Sequence, residues 1–387
     1  MISSGVNTRE LILEILLQIE EEGEHSHIAI RNALSKYQFL PKQERSFITR
    51  VCEGTLEYRI YIDYVIDSFS KVSVNKMKPQ IREILRSAVY QLKFMDSVPD
   101  SAVCNEAVKL AVKKNFGTLR GFVNGVLRNI ARNIDNIEYP DKSTNTDKYL
   151  SVKYSVPEEL AGYFLKKFGD NETEEMFEAF NKDKSTYIRC NTKKTDIAGL
   201  TAALEAEGVT VTNEGIDKRI DYALKISGYD YLGGLKSFRD GLFFVQDISS
   251  MLASQGGFIK RDAYVIDVCA APGGKSINAA LMADIGHVSS RDISGRKVSL
   301  IKENAERLGI DNITYKVWDA VKKDEESVEK ADVLICDLPC SGLGIIGRKP
   351  DIKYNVTYEK IKELALLQRK ILSTVWEYVK KDGILIY

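Results

Sequence analysis

Asp337-Leu-Pro-Cys340 sets a carboxylate beside a thiol, directly after an apolar run that ends at Cys336. A cysteine inside such a run is ordinarily a small buried hydrophobe, and that suits Cys336. Cys340 stands outside the run, next to an acid, a proline and the Gly342-Leu-Gly344 loop, where a thiol can do chemistry. Thiolate is the reactive form. Beside a methyl donor it has a definite use. Carbon 5 of a pyrimidine is a poor nucleophile, and a thiolate added to carbon 6 lets it attack a sulfonium methyl group. The ring proton must then leave and the thiol be eliminated, and the base must first come out of its stack. The basic Gly347-Arg348-Lys349 stretch that follows can touch substrate phosphate, or be a solvated loop.

The elements that must position these residues begin at Tyr264-Val-Ile-Asp-Val-Cys-Ala-Ala-Pro-Gly-Gly-Lys-Ser276. Tyr264 to Val268 reads as a buried parallel strand, Pro272-Gly273-Gly274 as a tight turn, and Ser276 to Met282 as the start of a helix. Strand, glycine turn and helix make a ligand site in a doubly wound α/β sheet. The spacing fails the phosphate-gripping pattern Gly-x-x-x-x-Gly-Lys-Ser/Thr, because Cys269 stands where its first glycine belongs. It also lacks Gly-x-Gly-x-x-Gly. An adenosine-type ligand held without a phosphate grip remains, with a purely structural turn as the alternative.

Three acids favour the ligand. His287 to Asp292 reads as a second strand, and its terminal acid is placed for ribose hydroxyls. Ile313 to Asp319 and Ala331 to Asp337 read as a third and fourth, each again closing on an acid. One such acid is an ordinary turn residue, whereas three in register point to one shared site.

A chain of 387 residues exceeds one core, so two or three domains are expected. No apolar run approaches a membrane span, and the N-terminus lacks a signal pattern. The six cysteines show no paired metal spacing, so no metal is expected, and unpaired cysteines suit a reducing cytoplasm. The formal net charge is zero, so any nucleic-acid binding needs a local patch.

Residues 1–140 read as a helical bundle, with Thr8 as an N-cap and apolar faces at Leu11, Ile12, Ile15, Leu16, Ile19 and at Ile81, Ile84, Leu85, Ala88, Val89, Leu92. Its last part carries Lys109, Lys113, Lys114, Arg120, Arg128 and Arg132 against Glu106 alone in that stretch. A solvated face is the plain reading, and phosphate binding competes once a catalytic domain is attached. Polar residues from Asn133 to Lys148 read as a linker, with 141–149 as its core. Residues 150–235 read as a small α+β module of ferredoxin-like type, and 236–387 as the catalytic domain, opening with a strand at Gly241 to Val245. A helix from Tyr358 to Lys380 leads to a fifth strand, Gly383 to Tyr387. An unpaired edge there suggests a sequence cut short.

With Cys269-Ala-Ala-Pro-Gly-Gly-Lys-Ser276 and Asp337-Leu-Pro-Cys-Ser-Gly-Leu-Gly344 in hand, the chain resembles the bacterial RNA cytosine-5 methyltransferases. Ser97 to Glu106 and Gly121 to Arg128 match that family's NusB-like helical domain, and Tyr187 to Asn191 and Gln246 to Ser249 its middle and core segments. The resemblance implies a Rossmann-like methyltransferase domain, S-adenosylmethionine as donor and a cytosine of 16S ribosomal RNA as substrate. By position Cys269, Ala270, Ala271, Pro272, Gly273, Gly274 and Lys275 would line the donor, Asp292 bind its ribose and Asp319 lie beside adenine. Asp337 would sit between donor and base. Pro339 and Cys340 match the proline-cysteine motif whose cysteine assists product release. The covalent nucleophile belongs to a Thr-Cys motif expected beyond Tyr387, so the chain as given is expected to be inactive. It would act as a monomer. The competing readings are a non-catalytic RNA-binding or assembly protein and a small-molecule methyltransferase.

Overall fold

The computed structural model describes residues 6–182 and 185–387. The chain packs as two units, Met1–Asp183 with Ser341–Lys360, and Lys184–Cys340 with Ile361–Tyr387.

In the helical unit the expected faces converge. Leu11, Ile12, Ile15 and Leu16 from Thr8–Glu22 and Ile81, Ile84, Leu85, Ala88 and Val89 from Pro79–Phe94 share one core. Apolar residues three and four apart fall on one stripe of a helix, and two stripes bury each other. The first helix is capped by Asn7 rather than Thr8. The Asn7 side chain accepts from the N–H groups of Arg9 and Glu10, and Thr8 already lies in the first turn. Three further helices, Thr146–Tyr154, Glu158–Phe168 and Asp170–Asn181, belong to this unit. They bury Leu150, Leu160, Phe164 and Phe177 with Ile346 of the returning segment. The irregular stretch ends at Asn145, which caps the first of these helices through Lys148 N–H. These helices therefore pack apart from the small module that the sequence placed them in.

The second unit begins with that module. Strands β1 (Thr186–Cys190), β2 (Thr210–Thr212), β3 (Ala223–Ser227) and β4 (Phe243–Val245) form an antiparallel sheet in the order β2-β3-β1-β4. Helix Ile197–Ala206 joins β1 to β2, and the single-turn helix Lys236–Arg239 joins β3 to β4. This is the ferredoxin-like order. The strand expected to open the catalytic domain completes it instead, pairing Ile188 with Val245 and Cys190 with Phe243. A short apolar strand carries no mark of which sheet it will join.

Five parallel strands follow: β5 (Tyr264–Asp267), β6 (His287–Asp292), β7 (Ile313–Val317), β8 (Ala331–Ile335) and β9 (Val379–Ile386), in the order β7-β6-β5-β8-β9. Successive residues alternate between two cores. Val265, Val288 and Val333 face one, and Ile266, Leu334 and Cys336 the other. Burial on both faces accounts for the unbroken apolar runs. The helix before β9 ends at Val375, not Lys380, and β9 pairs from Val379 with a break in register before Ile384. Asp382, at φ +65°, turns the chain within that break.

Candidate functional site

The strand order reverses between β5 and β8, and in open parallel sheets ligands bind past the carboxyl ends at that point. The two motifs lie there. Cys269–Lys275 follows β5 and Asp337–Cys340 follows β8. The topology thus explains why stretches more than sixty residues apart meet: Lys275 Nζ lies 2.6 Å from Asp337 Oδ2 and 3.3 Å from Ser250 Oγ.

The turn is pinned from within. Gly273 N–H donates to Ala270 O at 2.7 Å, and Ala270 N–H to Arg291 O at 2.8 Å. Gly273 takes φ +105°, which L side chains rarely adopt, and a Cβ there would come within 3.2 Å of Ile277 and Ile301. Pro272 is exposed, Ala271, Gly274 and Lys275 are half-buried, and Ala270 is buried. Cys269 is half-buried. Burial, reinforced by the charges of Asp267 and Asp292, pushes its thiol up to about 12, so it is no thiolate at neutral pH.

Asp292 is buried at the end of β6, and its Oδ2 accepts from Ala271 N–H at 3.3 Å. The acid of the second strand therefore reaches the glycine turn of the first. Asp319 lies two residues past β7 and accepts from Val321 N–H at 3.2 Å. After β8, Leu338 is buried while Asp337, Pro339 and Cys340 are exposed. The leucine anchors the loop and leaves the acid and the thiol to solvent. Gln368 Nε2 donates to Pro339 O at 2.8 Å, and Tyr387 OH lies 3.1 Å from the Gln368 Oε1.

Sequence reasoning missed Asp267. It is fully buried beneath the turn, with Ser276 Oγ at 2.6 Å from one oxygen and the Cys269 backbone N–H also directed at the carboxylate. Burial, and next the charge of Asp337, raise it to about 7. The signal was an acid inside an apolar strand, Val-Ile-Asp-Val. Gln368 and Ser250 carried no signal at all.

The basic helix face is less basic than it reads. Lys113 and Lys114 both pair with Glu10, and Lys114 also with Glu14, from the first helix. Lys109 pairs with Glu106. Arg120, Arg128 and Arg132 are exposed on helix Arg120–Asn133, and among the described residues none pairs with a carboxylate. Arg128 bonds to Asn124 and Asn105. Arg348 and Lys349 lie in the segment that packs with the helical unit, not with the unit carrying Cys340. Changing Arg120, Arg128 and Arg132 together to glutamine is expected to lower the slope of log K against log salt for RNA by about 2–3, since each phosphate contact contributes roughly 0.7–0.9. Changing Lys113 and Lys114 is expected to lower it by less than about 1, because their carboxylate partners already neutralise them. Equal slopes for the two variants, measured by fluorescence titration at several salt concentrations, would remove this face from consideration.

A parallel sheet of this order, with a glycine turn, terminal acids and no phosphate grip, suits a methyltransferase that takes S-adenosylmethionine, and the family matches give that class, joined to a NusB-like helical domain. The donor suits these residues, for the buried Asp292 carboxylate can accept hydrogen bonds from hydroxyl groups and a ligand without phosphates needs no P-loop lysine. Residues 6–132 match the NusB family and 259–387 the 16S rRNA methyltransferase RsmB/F family. The chain belongs to the ribosomal RNA small subunit methyltransferase B family. It is 35% identical over 98% of its length to a Bacillus subtilis protein named "Probable ribosomal RNA small subunit methyltransferase B", spanning 84% of that protein. A Synechocystis protein of the same name is 31% identical over 99% of this chain and 85% of its own. The crystal structure of PH0851 superposes with a TM-score of 0.78 at 28% identity, covering 98% of this chain and 85% of that one. Among the described residues no helix is long and apolar enough to cross a membrane.

Proposed function

We propose that this protein methylates carbon 5 of a cytosine in 16S ribosomal RNA through a covalent cysteine–cytosine adduct. The observation that carries the reading is the exposed Asp337–Cys340 loop, with Asp337 held 2.6 Å from Lys275 at the edge of the donor turn. A carboxylate accepts hydrogen bonds and donates none, so Asp337 suits the exocyclic amine of cytosine and repels the carbonyl that uracil carries there. Lys275 orients the acid through their ion pair.

When bound, the donor supplies an electrophilic methyl group. A thiolate would bond to carbon 6 of the base, and the electrons released at carbon 5 would take the methyl group as its bond to the donor sulfur breaks and leaves a neutral thioether. A base, water or a side chain at the site, then takes the proton from carbon 5, and the carbon–sulfur bond breaks as the ring double bond re-forms, returning the thiolate. Cys340 acts in this last step, and the bond-forming thiol is a second cysteine; Cys52, Cys104, Cys190 and Cys336 are buried and Cys269 is pushed up to about 12, so none of these five suits that part. Asp292 and the Cys269–Lys275 turn hold the donor, with Asp319 beside its adenine.

The test is transfer of a labelled methyl group to undermethylated small-subunit RNA, by residues 1–387 and by the chain continued through its gene. Activity is expected in the continued chain alone. In it, Cys340→Ala is expected to accumulate a protein–RNA complex that survives denaturant and to slow turnover at least about tenfold. Activity in residues 1–387, lost on Cys340→Ala, would make Cys340 the nucleophile and overturn this division of roles.

A further inference from the structure

We propose that Arg189 is a positioning residue for the donor turn, and that the ferredoxin-like module braces that turn. The inference rests on reading Cys269–Lys275 as the donor site.

Arg189 lies in β1, between Ala223 and Phe244 on the neighbouring strands, and is 1% exposed. Its Nη1 donates to Gln246 Oε1 at 2.7 Å and to Gly274 O at 3.0 Å. Its Nε and Nη2 have no partner among the described residues, and the guanidinium lies 5.6 Å from the Phe244 ring centroid. Burying a cation without a carboxylate is costly, and an apolar side chain of similar volume fills such a space better. What the arginine adds is its grip on Gly274, the first residue of the helix after the turn.

The same module reaches the other side of the turn. Asn191, the residue after β1, donates to Gly241 O at 2.8 Å and Leu308 O at 2.7 Å. Arg307 donates to Phe238 O and Phe243 O of the module and lies 3.4 Å from Asn304. Asn304 in turn donates to Pro272 O at 3.1 Å. The carbonyls on either side of Gly273 are thus held from outside, Pro272 by Asn304 and Gly274 by Arg189. Glycine leaves the peptide planes around it free to rotate, and these two bonds select one arrangement.

Calorimetry with S-adenosylhomocysteine on residues 1–387 tests this. Arg189→Met is expected to weaken binding about tenfold with melting temperature unchanged or raised, and Arg189→Lys to recover part of the loss. Asn304→Ala, at a half-buried position, is expected to weaken it about threefold. RNA affinity should stay unchanged in all three, while hydrogen exchange quickens at residues 271–278 alone. If Arg189→Met does not fold, Arg189→Lys and Asn304→Ala decide. Variants that bind within about twofold of wild type, with unaltered exchange, overturn the brace. No binding by the wild-type chain overturns the donor-site reading beneath it.

Discussion

Asp337→Asn is expected to cut methyl transfer by about two to three orders of magnitude while changing donor affinity by less than about tenfold. The carboxylate stands exposed beside Cys340 and 2.6 Å from Lys275. An amide of the same shape can turn its NH2 outward and donate, which favours a carbonyl at the position where cytosine carries its amine. It also leaves Lys275 without its counter-charge. The loss should therefore fall on the chemical step and on base choice. Single-turnover methylation of cytosine-containing and uracil-substituted RNA measures both, with donor titration alongside. A variant that retains more than about a third of the rate with cytosine RNA would sink the assignment.

The second large effect is a pH dependence centred on Asp267. Its folded pKa of about 7 lies above the 3.8 of an ordinary aspartate. The folded state thus keeps a proton that the unfolded chain gives up, and stability falls as pH rises through this interval. A shift of one unit corresponds to about 1.4 kcal/mol, so the whole interval sets a ceiling near ~4 kcal/mol. Between pH 5 and pH 8 a loss of about 1–3 kcal/mol is expected from this group, or several degrees of melting temperature. Asp267→Asn mimics the protonated acid and should remove that slope, melting higher than wild type at pH 8 and close to it at pH 5. Parallel curves for the two proteins by calorimetry would mean that Asp267 is ionised throughout.

The parts of the fold written in local patterns were legible. Helical faces at Leu11–Leu16 and Ile81–Val89 and the β/α alternation after Tyr264 depend on neighbours three, four or two residues away. The sequence also marked Gly273, Asp292 and Asp337, because turns and strand ends have their own vocabulary. What escaped depended on distant partners. Phe243–Val245 reads equally well in either sheet, and only its pairing with Ile188 and Cys190 decides. Lys113 and Lys114 read as free cations because Glu10 and Glu14 stand about a hundred residues earlier. Arg189 and Asp267 were both visible as charges in apolar strands. Such residues announce a burial cost before they disclose what it secures.

Residues 341–360 carry a consequence for how the protein is made. Lys353 donates to Glu57 O at 2.6 Å, the Tyr354 hydroxyl to Leu56 O at 2.8 Å, and Asp351 accepts from Ser26 Oγ at 2.7 Å. The helical unit therefore completes itself with a piece of chain translated roughly 160 residues after the rest of it. At about 5–20 residues per second that is on the order of ten to thirty seconds of synthesis. Through that interval the buried Ser26 and the carbonyls of Leu56 and Glu57 lack the partners they have in the finished protein. The first domain to emerge is thus among the last to be finished. Cutting the chain after Asp183 would leave the helical piece short of part of its own interior, and the other piece carrying it.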